Sequence, residues 1–131
     1  MKFIITLLKL IIAVIFLQSL YYKFSAHPQA IYIFTMLDLE PYGRIGIGIA
    51  ELVLSVLIFI PRYSLLAIFG SLGMMIGAVY SHLTKIGIVV RWNEQGDGGI
   101  LFSMAIIVCI ISSILIFINV NDYLTKRKIN Q

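Results

Sequence analysis

The sequence predicts an all-α membrane protein, an antiparallel bundle of four transmembrane helices with a short interfacial helix between spans 1 and 2. Of its 131 residues, 60% are hydrophobic and only 12% are charged, about half the charged fraction of a soluble domain. The mean hydropathy of +1.01 likewise indicates that lipid is the solvent. Four apolar runs approach the roughly 20 residues that a membrane-spanning helix needs. They cover 3–22, 44–60, 64–83 and 99–120.

The first run, 3–22, is interpreted as a retained span of a single transmembrane domain that covers 1–131. A signal peptide is the alternative, because Lys2 precedes the apolar segment. The run ends in the bulky pair Tyr21 and Tyr22, however, where a cleavage site requires small residues. Tyrosines at this position are typical of the aromatic belt at a membrane interface.

The connection between the first two spans, 23–42, predicts a short helix that lies in the membrane interface. Prolines occur near both ends of this segment. Between them Ile31, Phe34 and Leu37 recur at helical spacing, which gives the segment one apolar face.

The second and third spans, 44–60 and 64–83, are separated by the pair Pro61-Arg62, which predicts a tight hairpin between antiparallel helices. Small residues permit close approach of helix backbones in lipid. We therefore expect the small faces of the second and third spans to pack inside the bundle, with a homodimer face as the alternative. The face of the second span carries Gly43, Gly46 and Ala50, and that of the third span carries Gly73, Gly77 and Ser81.

The third connection, 84–98, is rich in Gly, Asn and Asp, which mark turns and a helix start. Asp97 is the predicted N-cap of the fourth span, 99–120. Trp92 is interpreted as an interfacial anchor. The chain ends in a basic tail that contains Lys126-Arg127-Lys128.

The distribution of Lys and Arg predicts the orientation. Six of these residues lie at the termini and at the Pro61 turn, and four lie at the other two connections. The positive-inside rule then places both termini in the cytoplasm, and we expect a bacterial inner-membrane protein. The net charge of +4 forms no stripe for nucleic acid. The expected partners are the lipid bilayer and a membrane protein or a second copy of the chain.

This topology gathers polar residues at the outer end of the bundle. Glu51 is an acid inside an apolar run, which is a functional-site hypothesis by default. It lies about 10 Å deeper than Arg44, and Gln18 lies about 7.5 Å deeper than Lys23, at about 1.5 Å per residue. We therefore predict an outer polar pocket whose residues bind a ligand or handle protons. The candidates are Glu51, His82, Gln18, Lys23 and Tyr80, with Tyr22 beside them.

Each candidate also has a structural interpretation. Glu51 can hold helices together by pairing with Lys23, Arg44 or His82, and Gln18 can form a helix–helix hydrogen bond. The single Cys109 excludes an internal disulfide or a CxxC redox pair. With two histidines and no Cys/His cluster, no metal site is predicted. No catalytic residue is assigned.

Four segments of the chain have a characteristic order and spacing. They are Phe16-Leu17-Gln18-Ser19 leading to Tyr22-Lys23-Phe24, Gly46-Ile47-Gly48-Ile49-Ala50-Glu51-Leu52-Val53-Leu54, Gly77-Ala78-Val79-Tyr80-Ser81-His82-Leu83-Thr84, and Asp97-Gly98-Gly99. Together they resemble the DoxX family of small four-span membrane proteins. The resemblance implies a four-helix bundle and a connection with membrane redox systems, including quinone-linked oxidation and oxidoreductase complexes. Vitamin K epoxide reductase-like proteins are a similar bundle, but their chemistry needs cysteine pairs that this chain lacks.

Three functions follow as hypotheses. The first is an accessory subunit that binds a quinone-like lipophilic molecule, with Glu51 and His82 exchanging protons and Gln18 bonding a carbonyl oxygen. Because no intrinsic cofactor and no self-contained catalytic machinery are evident, electrons would come from a partner and the chain is at most part of an oxidoreductase. The second is a non-catalytic interaction or assembly factor whose polar cluster is structural glue. A small transporter is the third, and the lack of broken helices or repeats argues against it.

Overall fold

A computed structural model describes all 131 residues of the chain, and its regular structure is entirely helical. Five α-helices and one π-helical turn follow each other without an intervening strand. They are α1 (Lys2–Phe24), α2 (Pro28–Met36), α3 (Tyr42–Leu57), α4 (Ser64–Ser81), the π-helical turn His82–Ile86, and α5 (Ile100–Ile129).

Three helical segments are long and apolar enough to cross a membrane: Lys2–Phe24, Ser64–Ile86 and Ile100–Ile129. The helix in the region of the predicted second span, α3, has 16 residues and is therefore about 24 Å long. It ends before the predicted residue 60, because a proline at 61 disfavours helical backbone for the residue before it. The last turn is closed instead by short-range bonds from the amides of Phe59 and Ile60.

The fourth predicted span is considerably longer in the structure than in the sequence-based prediction. Helix α5 continues to Ile129, well past the expected end at 120. Its last turn carries Lys126, Arg127 and Lys128, and cations there are stabilised by the negative end of the helix dipole. The basic tail is thus an extension of the helix.

The four long helices pack in a ring. Helix α1 packs against α3 and α5, and α4 packs against the same two neighbours. The hydrophobic core extends to the end of the bundle near the turn at 58–63, where Ile58, Ile68 and Leu115 are completely buried. Large apolar side chains cover much of the outer surface, as expected where lipid rather than water is the neighbour.

The short helix α2 crosses the opposite end of the bundle. The ring atom Nδ1 of His27 caps it by accepting the amide of Gln29 at 3.2 Å, and Pro28 occupies the first turn, where a missing N–H costs nothing. Ala30 and Phe34 are buried as α2 packs against α1, α3 and the π-helical turn. A cavity remains beneath it.

The small-residue ladder of α4 does not make the close helix contact that the sequence analysis expected. A Cβ added at Gly73 or Gly77 would meet no atom within 4 Å, and both residues line the cavity. Close contact occurs elsewhere, since a Cβ at Gly70 would lie 2.8 Å from the Leu54 side chain. The expectation was wrong because a stripe of small residues creates empty space wherever no second helix fills it.

Candidate functional site

The candidate site is a cavity of about 650 Å³ enclosed by α1, α2, α3, α4, α5 and the loop 87–99. Most of its wall is apolar. The side chains of Phe16, Phe34, Met75 and Met104 contribute to it. Four sequence-predicted residues also line this one cavity: Gln18, Lys23, Glu51 and His82.

An ion pair joins α1 to α3 at the cavity wall. The Lys23 ammonium lies 2.9 Å from Glu51 Oε2 and 3.1 Å from Oε1. The Ser19 hydroxyl donates to the same Oε2 at 2.6 Å and accepts from Lys23 at 3.0 Å. The Glu51 side chain is 4% exposed, so its charge is compensated almost wholly by these two residues, as a buried carboxylate requires.

Arg44 does not pair with Glu51. Its Nε donates to both Glu40 carboxylate oxygens, at 2.9 and 3.0 Å, and its guanidinium also donates to the backbone carbonyl of Lys23. Arg44 therefore satisfies a carbonyl at the end of α1, where orphan backbone acceptors need partners. Glu40, four residues earlier in the chain, forms the ion pair with Arg44 that was predicted as one possibility for Glu51.

Gln18 presents an acceptor to the cavity. Its Nε2 donates to the carbonyl of Ile15 at 3.1 Å and to the sulfur of Met104 at 3.4 Å. Because a carbonyl oxygen only accepts, the amide nitrogen must face Ile15, and this network fixes the orientation of the side chain. The amide oxygen of Gln18 has no protein donor.

His82 presents a second acceptor, and it is 5% exposed. Its Nδ1 lies 2.8 Å from the carbonyl oxygen of Gly87. Since that oxygen only accepts, Nδ1 donates to it, and Nε2 has no partner in the protein; in the neutral form of the ring Nε2 carries a free lone pair. His82 begins the π-helical turn, an irregularity that is often found at functional sites.

Tyr80 lies outside the cavity. Its side chain is 68% exposed, whereas Ala78, Ser81 and His82 on the same segment line the wall. Residues three and four apart share a helix face, so the face that holds Ala78, Ser81 and His82 turns Tyr80 outward. Tyr22, the other tyrosine considered with it, lines the cavity.

Ser19 was not predicted as a site residue, and Trp92, interpreted from the sequence as an interfacial anchor, also lines the cavity. Ser19 precedes Lys23 by one helical turn, and that spacing was the available signal. Trp92 lines the cavity and packs edge-on against His27 at 5.3 Å, while His27 packs against Tyr22 at 4.9 Å. This aromatic row connects the loop 87–99 to α1.

Asp97 fastens the loop to the start of α5. Its Oδ1 accepts the amides of Val90 and Gly99, at 2.8 and 2.9 Å, and its Oδ2 accepts the amide of Leu101 at 3.2 Å. The cap residue by backbone geometry is Gly99, in left-handed conformation. Asp97 thus caps α5 from a position two residues before the N-cap residue Gly99.

The cavity offers groups that suit an organic ligand. No group of three or more His, Cys, Asp or Glu side chains is placed to hold a metal ion. The polar groups of its wall that have no partner in the protein are set among apolar side chains: the amide oxygen of Gln18, Nε2 of His82, the Tyr22 hydroxyl, the Gln29 side-chain amide and the Trp92 indole N–H. Such a wall, mostly apolar with a few polar atoms, is the usual composition of a small-molecule site.

Comparison with known proteins supplies one relationship. The model of the DoxX-like family matches residues 7–114, which include cavity-lining residues from every helix. No curated protein and no solved structure gives a significant match. The matched segment covers most of the chain, and its helices are apolar and of membrane-spanning length. The chain is an integral membrane protein that belongs to the DoxX-like family.

Proposed function

We propose that this protein is an accessory subunit of a membrane redox system and binds a quinone-like lipophilic molecule in the cavity. One observation carries the proposal: a large apolar cavity contains a deeply buried histidine whose Nε2 has no protein partner. Nε2 is open to the cavity, because it is not one of the fully buried atoms that lack a partner, which are the hydroxyl oxygens of Ser64 and Ser112. A ligand with a hydroxyl group in the cavity therefore gains a hydrogen bond by donating to Nε2.

The dimensions of the cavity support a ring-sized ligand. Its volume of about 650 Å³ lies within the roughly 300–1,000 Å³ typical of small-molecule sites. A quinone ring is flat and apolar with oxygen atoms at its edge, so it matches a wall of apolar side chains interrupted by a few polar atoms.

The polar atoms of the cavity wall suit both redox forms of a quinone head group. Nε2 of His82 and the amide oxygen of Gln18 both accept hydrogen bonds, so they suit the two hydroxyl groups of a hydroquinone. Donors for the carbonyl oxygens of the oxidised form are the Tyr22 hydroxyl and the Trp92 indole N–H, which belong to residues of the same wall. His82 is the proposed acceptor of both hydroquinone protons, one at a time with release to the outer aqueous side between them, and a redox centre in a partner protein takes the two electrons.

Glu51 has a different role in this proposal from the one first assigned to it. Both of its oxygens are engaged by Lys23, and Ser19 also donates to one of them, which leaves it poorly placed to exchange a proton with a ligand. We propose that the pair holds α1 and α3 together at the cavity wall. Lys23 then keeps a positive charge beside the head group without exposing an unpaired ion to lipid.

We propose that the chain spans a bacterial inner membrane four times, as an antiparallel bundle with both termini in the cytoplasm. Helix α3 is the short span and α2 lies in the interface. The length of α3, about 24 Å, together with the apolar turn residues Ile58–Ile60, supports this arrangement. The cationic end of α5 supports the cytoplasmic position of the C-terminus. The cavity then lies at the outer leaflet.

A second candidate function is a non-catalytic interaction or assembly factor. The Ser19–Lys23–Glu51 network favours it, because those contacts account for the buried acid as glue between α1 and α3 without any ligand. In that case the cavity is dispensable and the outer helix faces dock another membrane protein.

The experiment that separates the two functions uses Trp92, the only tryptophan of the chain, which lines the cavity. Quinones quench indole fluorescence on contact. The purified protein in lipid nanodiscs is titrated with a short-tailed benzoquinone, and an organic extract of the same preparation is analysed by mass spectrometry for a co-purified quinone. Saturable quenching and a stoichiometric quinone are the expected results.

Two glycine substitutions supply the cavity-filling test and its control. Gly77→Leu adds a side chain to a cavity-lining position that has open space around it, and Gly46→Leu does the same at an exposed position of α3 outside the cavity. We expect Gly77→Leu to weaken quinone binding at least about tenfold, or about 1.4 kcal/mol, while Gly46→Leu binds as the wild type does. Equal, non-saturable quenching in all three proteins would contradict the quinone proposal and favour the assembly function.

A further inference from the structure

The cavity has an opening on the side of the bundle. Gly73 and Gly77 both line the cavity and are both exposed to the outside. A Cβ built at either position would meet no atom within 4 Å. At these two glycines the cavity wall therefore consists of the helix backbone alone, and no side chain closes it.

The opening arises where α3 and α4 separate. Near their connecting turn the two helices touch, since a Cβ at Gly70 would lie 2.8 Å from Leu54. The short turn at 58–63 makes α3 and α4 antiparallel. Moving away from the turn, residues at the same level on the two helices are therefore increasingly far apart in sequence. Extending this antiparallel register along both helices makes Gly73 level with Glu51 and Gly77 level with Ile47, and all four residues line the cavity. We call this gap between Gly73 and Gly77 on α4 and Ile47 on α3 the lateral opening.

The surface around the lateral opening is apolar. Leu66, Phe69, Ile76 and Tyr80 of α4 are all at least 49% exposed, and they lie on the helix face adjacent to the two glycines. On an integral membrane protein such a surface contacts lipid chains. The lateral opening thus connects the cavity with the hydrocarbon of the bilayer and not with water.

We infer that the ligand enters from the bilayer through the lateral opening and that its hydrocarbon tail remains in it, between α3 and α4. This inference rests on the proposed function and specifies the ligand class as a quinone with a long apolar tail. From His82, Gly77 is about 7.5 Å and Gly73 about 13.5 Å distant along the helix. A head group at His82 therefore has Gly77 beside its ring and Gly73 beside the first part of its tail.

The volume of the cavity agrees with a ligand that is only partly enclosed. A space of about 650 Å³ accommodates a ring with its substituents but not a long isoprenoid chain in addition. A tail that leaves sideways stays in an apolar medium throughout, so it loses no favourable solvation on binding.

The test compares a tail-less dimethoxy-methyl-benzoquinone with the same ring carrying a decyl tail, by Trp92 quenching in nanodiscs. Affinities are corrected for partition of each probe into the lipid. The variants are Gly73→Leu, which narrows the lateral opening next to the tail, and the control Gly46→Leu outside the cavity. Replacing a helical glycine by leucine raises helix propensity, so neither variant is expected to unfold.

In the wild type both probes are expected to quench Trp92 saturably. In Gly73→Leu the decyl probe is expected to lose about tenfold or more in affinity, while the tail-less probe keeps its affinity within about twofold. Equal loss for both probes, or loss for neither, would overturn the lateral opening while leaving the quinone site intact. Absence of saturable quenching by either probe in the wild type would overturn both proposals. A wild-type dimer that Gly73→Leu converts to monomers would show that a second copy covers the opening, which also contradicts the inference.

Discussion

Replacing Lys23 by methionine removes the counter-charge of Glu51 while retaining a flexible apolar stem of similar length. The Glu51 side chain is 4% exposed and that of Lys23 is 14% exposed, so little water is available to replace the ammonium. Breaking a buried ion pair by removing one partner costs about 3–5 kcal/mol. Because Ser19 still donates to Glu51 at 2.6 Å, we expect the lower end, about 3 kcal/mol.

Two further variants make this prediction quantitative. Glu51→Gln keeps an acceptor for Ser19 and Lys23 but leaves the Lys23 ammonium without its counter-charge. Because Lys23 is 14% exposed and still has a hydrogen-bond acceptor, we expect a loss of stability of about 1–3 kcal/mol, no larger than that of Lys23→Met. The double variant Lys23→Met/Glu51→Gln removes both charges and is expected to be more stable than Lys23→Met alone. The measurement is equilibrium unfolding of the detergent-solubilised protein, analysed as a double-mutant cycle.

The refuting result is a Lys23→Met protein whose free energy of unfolding is within about 0.5 kcal/mol of the wild type. Such a value is typical of ion pairs in contact with water, and it lies near the average of about 0.6 kcal/mol for polar contacts between membrane helices. It would show that water or lipid headgroups reach Glu51, and that the network does not hold α1 against α3.

Two other predictions concern the parts of the molecule that enclose the cavity. Asp97→Ala leaves the amides of Val90, Gly99 and Leu101 without their acceptor. We expect the free energy of unfolding to fall by about 1–3 kcal/mol and amide hydrogen exchange to become faster only within 87–101. Unchanged exchange in that segment would show that Asp97 does not hold the loop 87–99 to α5. Phe16→Ala removes a side chain that is 1% exposed. We expect the free energy of unfolding, measured by thermal or chemical denaturation, to fall by about 3–5 kcal/mol. A decrease below about 1 kcal/mol would show that the surrounding helices move in to fill the space.

Simple spacing was sufficient to predict which polar residues meet. Gln18 and Glu51 were placed at similar depth from the rise of a helix, and the structure brings both to one cavity with Lys23 and His82. This succeeds because a helix has a fixed rise per residue and because antiparallel neighbours share an end. Their roles in ligand binding stay a prediction.

Spacing did not predict the partner of each charge. Arg44 lies on the same helix as Glu51, yet Glu40 takes its guanidinium through an i, i+4 contact. Ser19, which bridges the acid and the lysine, is a common residue that carries no signal in isolation. Depth along a helix follows from the sequence, whereas rotation about its axis depends on the packing of the neighbours. Tyr80 was misplaced for the same reason, since its depth is right and its direction is outward.

The glycines of α4 show why the same motif permits opposite outcomes. At Gly70 the absence of a side chain allows contact with Leu54, whereas at Gly73 and Gly77 it leaves space. The outcome at each glycine depends on whether a side chain of α3 reaches it, and that is decided by tertiary packing. In water an open apolar gap of this kind would collapse or bind a partner, because exposing it is unfavourable. In lipid the gap is filled by hydrocarbon at little cost, so a membrane protein retains an opening through which an apolar ligand passes without contact with water.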